Sequence, residues 1–422
     1  MPGGFLFRLD DVAGRPIRVH PIPMTRDKAY RLAVIVVLQL VGILAGVQLG
    51  KIAPLVEWYQ NEIGFSLVLI GWFTSMIGIF VAAAALPAGW AIERAGPANT
   101  FLVGSVVMTV GGLALALFAS PAAILASRLV EGAGYLVLVI ATPALLAAIS
   151  PDRWKPPVLA IWGGFVPIGF AVADFTAQAV LPSGGPESYL LLAIAAFAIL
   201  ATIAAILLRA PGLVGDVATG AAEGAFAATM TFPVTLVALA FGIYVVLSVG
   251  FFTFMPAYVG APGSSIVLSA GAIALFVPIG NVLASLLVSG RDARFIALLS
   301  AAGFAINAAL AIPAFGASSA IVATSALALF AIAGGMTASA LFASIPFIVP
   351  RGGSASVAIG LVAQAGGIGT LFGPPLAGFV IETYGFAGFG WFLVAVALVG
   401  IACLMPLMSA SAPQGSPPQT PR

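Results

Sequence analysis

The sequence predicts an all-α integral membrane protein with twelve transmembrane helices, arranged as two pseudo-symmetric six-helix bundles. Of its 422 residues, 61% are hydrophobic and only 7% are Asp, Glu, Lys or Arg, whereas about a quarter of an average soluble domain is charged. The apolar runs last about twenty residues, which is the length of a membrane-crossing helix. A membrane barrel would instead show alternating segments of roughly ten residues. Lipid is therefore predicted to be the solvent for most of the chain.

Twelve apolar runs, which we number spans 1 to 12, are separated by charged residues, proline or glycine. Their approximate ranges are 32–55, 67–91, 98–118, 121–149, 157–181, 188–209, 231–257, 266–289, 294–313, 318–349, 355–381 and 386–408. The longest interior connection leaves six spans on each side, which suggests two similar halves. The predicted organisation is a tail at 1–29, a bundle at 30–209, a linker at 210–230, a bundle at 231–408 and a tail at 409–422.

The distribution of lysine and arginine predicts the orientation. Fourteen of the sixteen fall in the tails or in loops on one side, and the loops on the other side hold none. These fourteen are the six residues up to Arg31, followed by Arg94, Arg153, Lys155, Arg209, Arg291, Arg294, Arg351 and Arg422. Because cytoplasmic loops are enriched in basic residues, we expect a multi-pass protein of the cell (inner) membrane with both termini in the cytoplasm.

Several classes of function are disfavoured by composition. The net charge of +2 gives no reason to expect a nucleic-acid partner, and the single cysteine, Cys403, excludes an intramolecular disulfide. One histidine, no phosphate-binding loop and no nucleophile–base pair argue against an enzyme, a metal site or a cofactor. The expected partners are lipid, a small-molecule substrate and protons, and the expected state is a monomer.

Four ionisable residues fall inside spans, namely Lys51, Arg128, Glu131 and Asp174. Such residues are costly in a membrane and indicate function by default. At 1.5 Å per residue, Arg128 lies about 10 Å below the outer end of span 4. Glu131 follows one turn deeper on the same helix face, at i+3. All four belong to the first half of the chain, in its outer part.

Two interpretations of these residues remain open. In the first, Lys51 and Arg128 form an electropositive site for an anion, and Glu131 or Asp174 takes up a proton because burial disfavours a charged carboxylate. In the second, the two cations and two anions pair with one another and close an outer gate. For Asp174, the structural interpretation is the favoured one.

Uncharged polar residues could complete a binding site. The candidates are Gln39 and Gln48 on span 1, Tyr135 on span 4, Tyr244 on span 7 and Gln364 on span 11. Arg128, Glu131 and Tyr135 lie at i, i+3 and i+7, along one stripe of a helix. Each glutamine or tyrosine taken alone could equally be an interhelical hydrogen bond or an interface anchor.

Two short patterns recur in the second helix of predicted three-helix units. The segment Phe165-Val-Pro167-Ile-Gly169 reappears unchanged as Phe276-Val-Pro278-Ile-Gly280. The pattern Gly-x-x-x-Glu-x-x-Gly occurs as Gly89, Glu93, Gly96 and as Gly378, Glu382, Gly385. Glycine lets helices approach closely and proline permits bending, and helices that rock against each other need both. The alternative is chance, because the chain holds 49 Gly and 30 Pro.

The segment Gly89-Trp-Ala-Ile-Glu93-Arg94-Ala-Gly96 resembles the loop 2–3 signature of the major facilitator superfamily. The run from Arg128 to Gly134 resembles the fourth helix of that family. The pattern Gly369-x-x-x-Gly373-Pro374-Pro375-x-x-Gly378 resembles its eleventh helix. One departure is that Pro97-Ala98-Asn99 replaces the basic pair that usually ends the first signature, which puts the charge relay of the inner gate in doubt. Within the family, three segments are most similar to the cyanate and nitroimidazole permease-like group, namely Lys51-Ile-Ala-Pro54, Gly71-Trp72 and the run from Arg128 to Gly134.

The resemblance implies a fold in which helices 1, 4, 7 and 10 line a central cavity and helices 2, 5, 8 and 11 form the contact between halves. It also implies secondary transport by alternating access, as a symporter or antiporter. With Lys51 and Arg128 inside spans, we expect a small anionic solute, moved by proton coupling or exchange. One alternative is export of amphipathic or toxic compounds, motivated by the apolar, aromatic second half. A transporter-like receptor is disfavoured because the tails are short.

Overall fold

The computed structural model describes residues 24–118, 120–151, 154–210, 213, 225–261, 264–288 and 291–409, and within these ranges all regular structure is helical. The expectations for the tail up to residue 23, for most of the linker and for the tail from residue 410 lie outside the described residues. Ten helices within the described ranges are long and apolar enough to cross a membrane.

The helices Phe165–Leu207 and Ala355–Ser409 each run through two predicted spans. The other helix ends agree with the predicted spans to within four residues, except in span 1, where the first helix begins at Met24 and ends at Gly50. In the first half the helices are Met24–Gly50, Ala53–Leu55, Val56–Asn61, Leu67–Ser75, Met76–Gly78, Ile79–Ala95, Pro97–Leu117, Pro121–Ile149, Lys155–Trp162 and Phe165–Leu207. In the second half they are Ala225–Thr229, Phe232–Gly260, Ala270–Ala274, Phe276–Val288, Ala293–Gly316, Ala320–Ile348 and Ala355–Ser409. Since the first helix begins at Met24, the predicted end of the tail at residue 29 lies inside that helix.

Capping residues explain several of these starts. Ser120 accepts a hydrogen bond from the Ala123 N–H, and Pro121 occupies the first helical position, where its missing N–H has no helical partner to lose. Asp292 accepts from the Phe295 N–H in the same way. Each cap satisfies an orphan donor at a helix start, so these loops can be short.

The two longest helices each contain a glycine with non-helical backbone. Gly185 has φ 69° and ψ −179°, and Gly385 has φ 66° and ψ −175°. Glycine adopts this region at little cost because it has no Cβ. Each of these positions therefore divides one long helix into two segments.

Contacts to neighbouring helices show that the chain reverses direction at both glycines. The contacts of Met24–Gly50 are Gln39 Nε2 to Val158 O (2.6 Å), Gly50 against Phe170, Gln48 Nε2 to Ala193 O (3.0 Å) and Tyr30 OH to Leu207 O (2.7 Å). The segment before Gly185 thus runs parallel to this helix, and the segment after it runs antiparallel. The segment before Gly385 runs parallel to the helix Phe232–Gly260, as the contacts of Gly242 with Ala365 and of Gly250 with Ala377 show.

The helix Ala293–Gly316 relates the segment after Gly385 to the same reference helix. Tyr258 bonds Ala314 near the distal end, and Gly390 and Gly400 contact Ala311 and Phe304 in turn. The segment after Gly385 therefore runs back towards the proximal end.

The halves meet along spans 2 and 11 and along spans 5 and 8, as the resemblance implies. We call the end of the bundle that carries residues 56–66 the distal end and the opposite end the proximal end. The contacts of spans 2 and 11, from distal to proximal, pair Leu67 with Gly378, Gly71 with Pro374, Ala82 with Gly367 and Leu86 with Gly360. Spans 5 and 8 meet where Gly271 packs against Ala171 and Asp174.

The repeated five-residue segment has the same local structure in both copies. Each copy begins a helix directly after a break, at Gly163–Gly164 in span 5 and at Leu275 in span 8. Proline stands third in each new helix and has no N–H, so the carbonyl four residues earlier loses its helical donor. Gly169 packs on the backbone of Gly46, and Gly280 packs on the backbone of Ile332. The expected close approach is confirmed at both glycines.

The Gly-Glu-Gly pattern is only partly matched in structure. Gly378 packs on the Leu67 backbone, but nothing lies within 4 Å of a Cβ added at Gly89, so the expectation of a helix contact at Gly89 is wrong. The second glycine of each copy of the pattern has the same backbone conformation, because both Gly96 and Gly385 have positive φ at the end of a helical segment. Of the two carboxylates, Glu382 is exposed, and the Glu93 side chain lies outside the described residues. Arg94, next in the signature, lies 3.8 Å from the ring centre of Trp90.

Candidate functional site

Three of the four predicted intramembrane charges meet in one buried group, which we call the charge cluster (Gln48, Lys51, Arg128 and Glu131). Glu131 Oε1 lies 2.6 Å from Lys51 Nζ, and Glu131 Oε2 lies 2.6 Å from the NH1 atom of Arg128. Lys51 Nζ also donates to Gln48 Oε1 at 2.8 Å. All four residues are 0% exposed. One carboxylate thus bridges two cations and leaves the cluster one positive charge in excess.

Every N–H of the Arg128 guanidinium is engaged. Its acceptors are Phe73 O at 2.6 Å, Gln48 O at 2.7 Å, Thr74 O at 3.1 Å, Leu49 O at 3.5 Å and Glu131 Oε2 at 2.6 Å. Arginine offers five donors in a fixed fork, and these five bonds use all of them. In this conformation, Arg128 has no donor left for a solute.

The four backbone carbonyls come from the ends of two helices. Met24–Gly50 ends beside Lys51, and Leu67–Ser75 gives way to the 3₁₀ turn Met76–Gly78. The last carbonyls of a helix lack intrahelical donors and carry the negative end of its dipole. Arg128 therefore stabilises two helix breaks, one in span 1 and one in span 2, from its position on span 4.

Small residues on span 3 make room for the Glu131 carboxylate. A Cβ added at Gly112 would lie 2.9 Å from Glu131 Oε1, and one added at Gly111 would lie 2.5 Å from the Glu131 backbone nitrogen. Span 3 can therefore approach span 4 closely at the depth of the cluster. A larger side chain at either glycine would displace the carboxylate.

Aromatic rings cover the distal side of the charge cluster. Tyr59 stacks on Phe65 at 5.9 Å between ring centres and contacts Phe73 edge-on at 5.6 Å. Tyr59 and Phe73 are both buried, and the Phe73 carbonyl is itself an Arg128 acceptor. We call these three rings the aromatic lid. The charge cluster beneath the lid is fully buried, and polar interactions in such a low-dielectric interior are stronger than in water.

Asp174 does not join the charge cluster. Its Oδ2 accepts hydrogen bonds from the Gly271 backbone N–H at 2.7 Å and from Gln178 Nε2 at 2.6 Å. Gly271 lies in the first turn of the helix that begins span 8, after the N-cap Ser269. A carboxylate of the first half thus binds a helix start of the second half. This geometry agrees with the structural interpretation of Asp174.

The uncharged candidates are dispersed. Gln39 donates to Val158 O on span 5, so it makes an interhelical bond. Tyr135 lies on the Arg128–Glu131 stripe and is buried. Tyr244 is in the other half, 5.8 Å from the Phe241 ring. The Gln364 Oε1 atom is buried without a partner in the described part of the chain.

In the second half the interior is aromatic and uncharged. Phe251 stacks on Phe330 at 4.6 Å and meets Phe252 edge-on at 5.0 Å. A cavity of about 10 Å³ beside these rings is lined by Tyr244 as well, which is close to the space of one water molecule. Ser339 donates to Asn281 Oδ1 at 3.1 Å across spans 8 and 10.

Three features of the site carry no sequence signal of their own. The carbonyls that surround Arg128 depend on where two helices break, and the Gly271 N–H is a backbone group. The aromatic lid depends on the tertiary contact of two helices, Val56–Asn61 and Leu67–Ser75, with Phe65 between them. Asn281 follows the repeated five-residue segment directly, so comparison of the two copies could have drawn attention to it. Among the described residues, no group of three or more His, Cys, Asp or Glu side chains could hold a metal ion.

Comparison with known families agrees with this architecture. The family model described as Major Facilitator Superfamily matches residues 38–367, which is most of the chain. The chain belongs to the major facilitator superfamily. Members of this superfamily are membrane transporters.

Solved structures of the superfamily share the fold. A bacterial homologue of the human lysosomal transporter Spinster, in an inward-facing and unoccupied conformation, matches with a TM-score of 0.71 and 17% identity, over 90% of this chain and 96% of that chain. The occupied inward-facing form matches with the same TM-score and identity. At this identity the likeness concerns the fold alone.

Curated relatives match over shorter segments. An uncharacterized MFS-type transporter of Mycobacterium tuberculosis, Rv1250, is 30% identical over 128 residues, or 30% of this chain and 22% of the relative. A galactose-proton symporter of Escherichia coli is 22% identical over 143 residues, or 34% of this chain and 31% of the relative. The matched region thus spans less than a third of either relative.

Proposed function

We propose that the chain is a secondary active transporter that moves a small anionic solute by alternating access, with proton coupling at Glu131. The observation that carries the proposal is the Glu131 carboxylate, which bridges Lys51 and Arg128 beneath the aromatic lid. The protein would cross the membrane twelve times, with each reversal at Gly185 and Gly385 adding one crossing to the ten long helices. Both termini would be cytoplasmic, so the proximal end would face the cytoplasm.

Protonation of Glu131 gives a physical route to coupling. A neutral Glu131 would leave two buried cations without a counter-ion, which is strongly unfavourable while the lid is closed. A protonated Glu131 therefore favours a conformation in which water or an anion reaches Lys51 and Arg128. An ionised Glu131 favours the closed arrangement described above, and proton binding is thereby linked to the position of the gate.

The excess positive charge of the cluster supports an anionic solute. Two cations share one carboxylate, and Asp174 lies apart on span 5, where it binds the Gly271 N–H of span 8. Because Arg128 has no free donor, the field of the cluster would attract the anion while uncharged groups such as the Tyr135 hydroxyl contact it. The narrower resemblance to the cyanate and nitroimidazole permease-like group is kept as a hypothesis and puts small inorganic and carboxylate anions first in a solute panel.

The distal surface favours loading from the proximal end. The charged side chains in the described distal loops are acidic and include Glu57, Glu62 and Glu187. An anion approaching from that side would be repelled, whereas the proximal loops carry the lysine and arginine residues. We therefore propose that the anion enters from the proximal end and leaves at the distal end, by export or by exchange. Export of amphipathic compounds is a second candidate, supported by the aromatic interior around Phe251.

The proposal is tested with the purified protein in liposomes that contain a pH-sensitive dye. A panel of small anions is added to wild type, to Glu131→Gln and to the control Ser127→Ala, whose hydroxyl bonds only its own helix. We expect solute-dependent proton movement in wild type and in the control. In Glu131→Gln this movement should be lost while exchange of labelled solute continues. Equal proton movement in Glu131→Gln and wild type would overturn the proposed coupling.

A further inference from the structure

A second cavity lies at the distal surface, apart from the charge cluster. Its volume is about 230 Å³, and we call it the distal cleft. One wall comes from the first half and includes Glu57, Gln60 and Asn61, and the other comes from the second half and includes Phe254, Ala257 and Phe386. The cleft is therefore bounded by both halves, and its shape depends on their contact at the distal end.

The electrostatic environment of the distal cleft is negative. Glu57 is exposed and has no cationic partner among the described residues. A Cβ added at Gly260, the last residue of the helix Phe232–Gly260, would lie 3.4 Å from Glu57 Oε1. That helix has no basic residue in its last turn, so the negative end of its dipole adds to the carboxylate charge. The charge cluster, with its one excess positive charge, is fully buried, whereas Glu57 is exposed beside the cleft.

The floor of the distal cleft is aromatic and apolar. Phe254 is buried, and Phe386 is held by ring contacts with Tyr258 at 4.7 Å and Phe315 at 6.2 Å. Fixed aromatic faces attract cations, and the neighbouring Ala257 leaves space for a bulky apolar group. Gln60 and Asn61 supply amide groups at the rim. A rim carboxylate, a helix C-terminus and aromatic walls together suit a cation with an apolar body.

We propose that the distal cleft binds a small organic cation of the quaternary or tertiary ammonium class, and that the bound cation holds the distal end closed. The ammonium group lies between Glu57 and the end of the Phe232–Gly260 helix, and its apolar substituents contact Phe254 and Phe386. Because the walls come from different halves, a ligand that binds them together stabilises the distally closed state over the open one. Such a cation inhibits transport without occupying the central site.

The test uses the full-length purified protein in detergent and two probes of equal shape. Benzyltrimethylammonium carries the charge, and neopentylbenzene is its neutral counterpart. We expect a saturable rise in the unfolding temperature with the cation and a much smaller one with the neutral compound. In Glu57→Gln the apparent affinity for the cation should fall by roughly tenfold, as expected for loss of a charge-assisted contact. Glu187→Gln, which removes a distal acid outside the cleft, is the matched control.

A second variant tests the shape of the distal cleft independently of charge. Ala257→Leu narrows the cleft and should abolish the saturable response. The site proposal is overturned if wild type shows no saturable response, if the neutral probe acts equally, or if Glu57→Gln or Ala257→Leu binds the cation like wild type. Transport is measured separately in liposomes with the cation on the distal side, where dose-dependent inhibition is expected. Binding without inhibition would overturn the closure step, and neither result depends on proton coupling at Glu131.

Discussion

Asp174 and Gly271 join the two halves of the bundle at the distal end through a hydrogen bond of 2.7 Å from backbone N–H to carboxylate. The bond places a negative charge at the start of the helix Ala270–Ala274, where backbone donors have no helical partner. Asp174 also accepts from Gln178 on its own helix, which fixes the orientation of the carboxylate. Separation of spans 5 and 8 at this end requires the Asp174–Gly271 bond to break.

Replacement of Asp174 by alanine should loosen the distal gate. In a Cys403→Ser background, which removes the one native cysteine, a reporter Leu55→Cys lies at a fully buried distal position. We expect maleimide labelling of this reporter to be roughly tenfold faster or more in Asp174→Ala, because a charge-assisted hydrogen bond contributes roughly 1.5–3 kcal/mol and 1.4 kcal/mol is about a factor of ten.

The matched control for this experiment is Asp292→Ala. Asp292 also binds a helix start, by accepting from the Phe295 N–H at 2.9 Å, but within one half and at the proximal end. Its removal should leave labelling at position 55 unchanged. Equal labelling of the Asp174→Ala and parent proteins would show that the Asp174–Gly271 bond does not restrain the gate.

Removal of the shared carboxylate should destabilise the protein more than removal of one of its cations. Glu131→Gln leaves Lys51 and Arg128 buried without a counter-ion, at a cost of about 3–5 kcal/mol. Lys51→Met leaves the Arg128–Glu131 pair neutral overall and should lower the unfolding temperature much less. Thermal unfolding in detergent shows which of the two variants, Glu131→Gln or Lys51→Met, has the lower unfolding temperature. A larger decrease in unfolding temperature in Lys51→Met than in Glu131→Gln would contradict the bridging role assigned to Glu131.

Arg128→Lys should be poorly tolerated although the charge is kept. An ammonium group has three donors and no planar fork, so it cannot replace five bonds that reach two helix ends and Glu131. We expect a loss of roughly 3 kcal/mol or more, because buried carbonyls lose their donors. Arg94→Lys, at an exposed position, is the control and should change the unfolding temperature little.

The pairing of Arg128 and Glu131 could be predicted from sequence, since both lie on one helix and their i,i+3 spacing fixes a common face. The contact between spans 2 and 11 was also predictable, because the family resemblance implies it, and Gly378 of the span 11 pattern lies in that contact. The full engagement of Arg128 was not predictable. It depends on helix breaks after Gly50 and Ser75, and helix ends are the least certain feature of a hydropathy pattern.

Composition explains the error at Gly89. In a chain with 49 glycines, a matching spacing does not distinguish a glycine at a helix contact from one facing open space. The positive φ of Gly96 and Gly385 was likewise invisible in the pattern, although it is the property that the two copies share. Backbone conformation and tertiary contact, not residue identity, separate the roles of these glycines.

Gly185→Ala and Gly385→Ala should each destabilise the protein although nothing lies within 4 Å of an added Cβ at either site. The cost arises from the positive φ, and a left-handed residue with a Cβ costs roughly 1–2 kcal/mol. Gly89→Ala and Gly316→Ala are the controls, because they also face open space but lie in helices with no positive φ. Those controls should be neutral or slightly stabilising. Equal unfolding temperatures for all four variants would argue against strain at the two reversals.

Gly169→Ala and Gly280→Ala test whether the repeated five-residue segment works as a pair of equivalent hinges. A methyl group at Gly169 would meet the Gly46 backbone, and one at Gly280 would meet the Ile332 carbonyl. Backbone cannot rotate away as a side chain can, so each variant should lose about 1–3 kcal/mol by overpacking. If the segments are equivalent, both variants should slow solute exchange in liposomes to a similar degree, whereas Gly89→Ala should exchange normally. A defect in only one of the two variants would show that one copy alone bends during transport, and that the shared sequence reflects packing rather than a shared hinge.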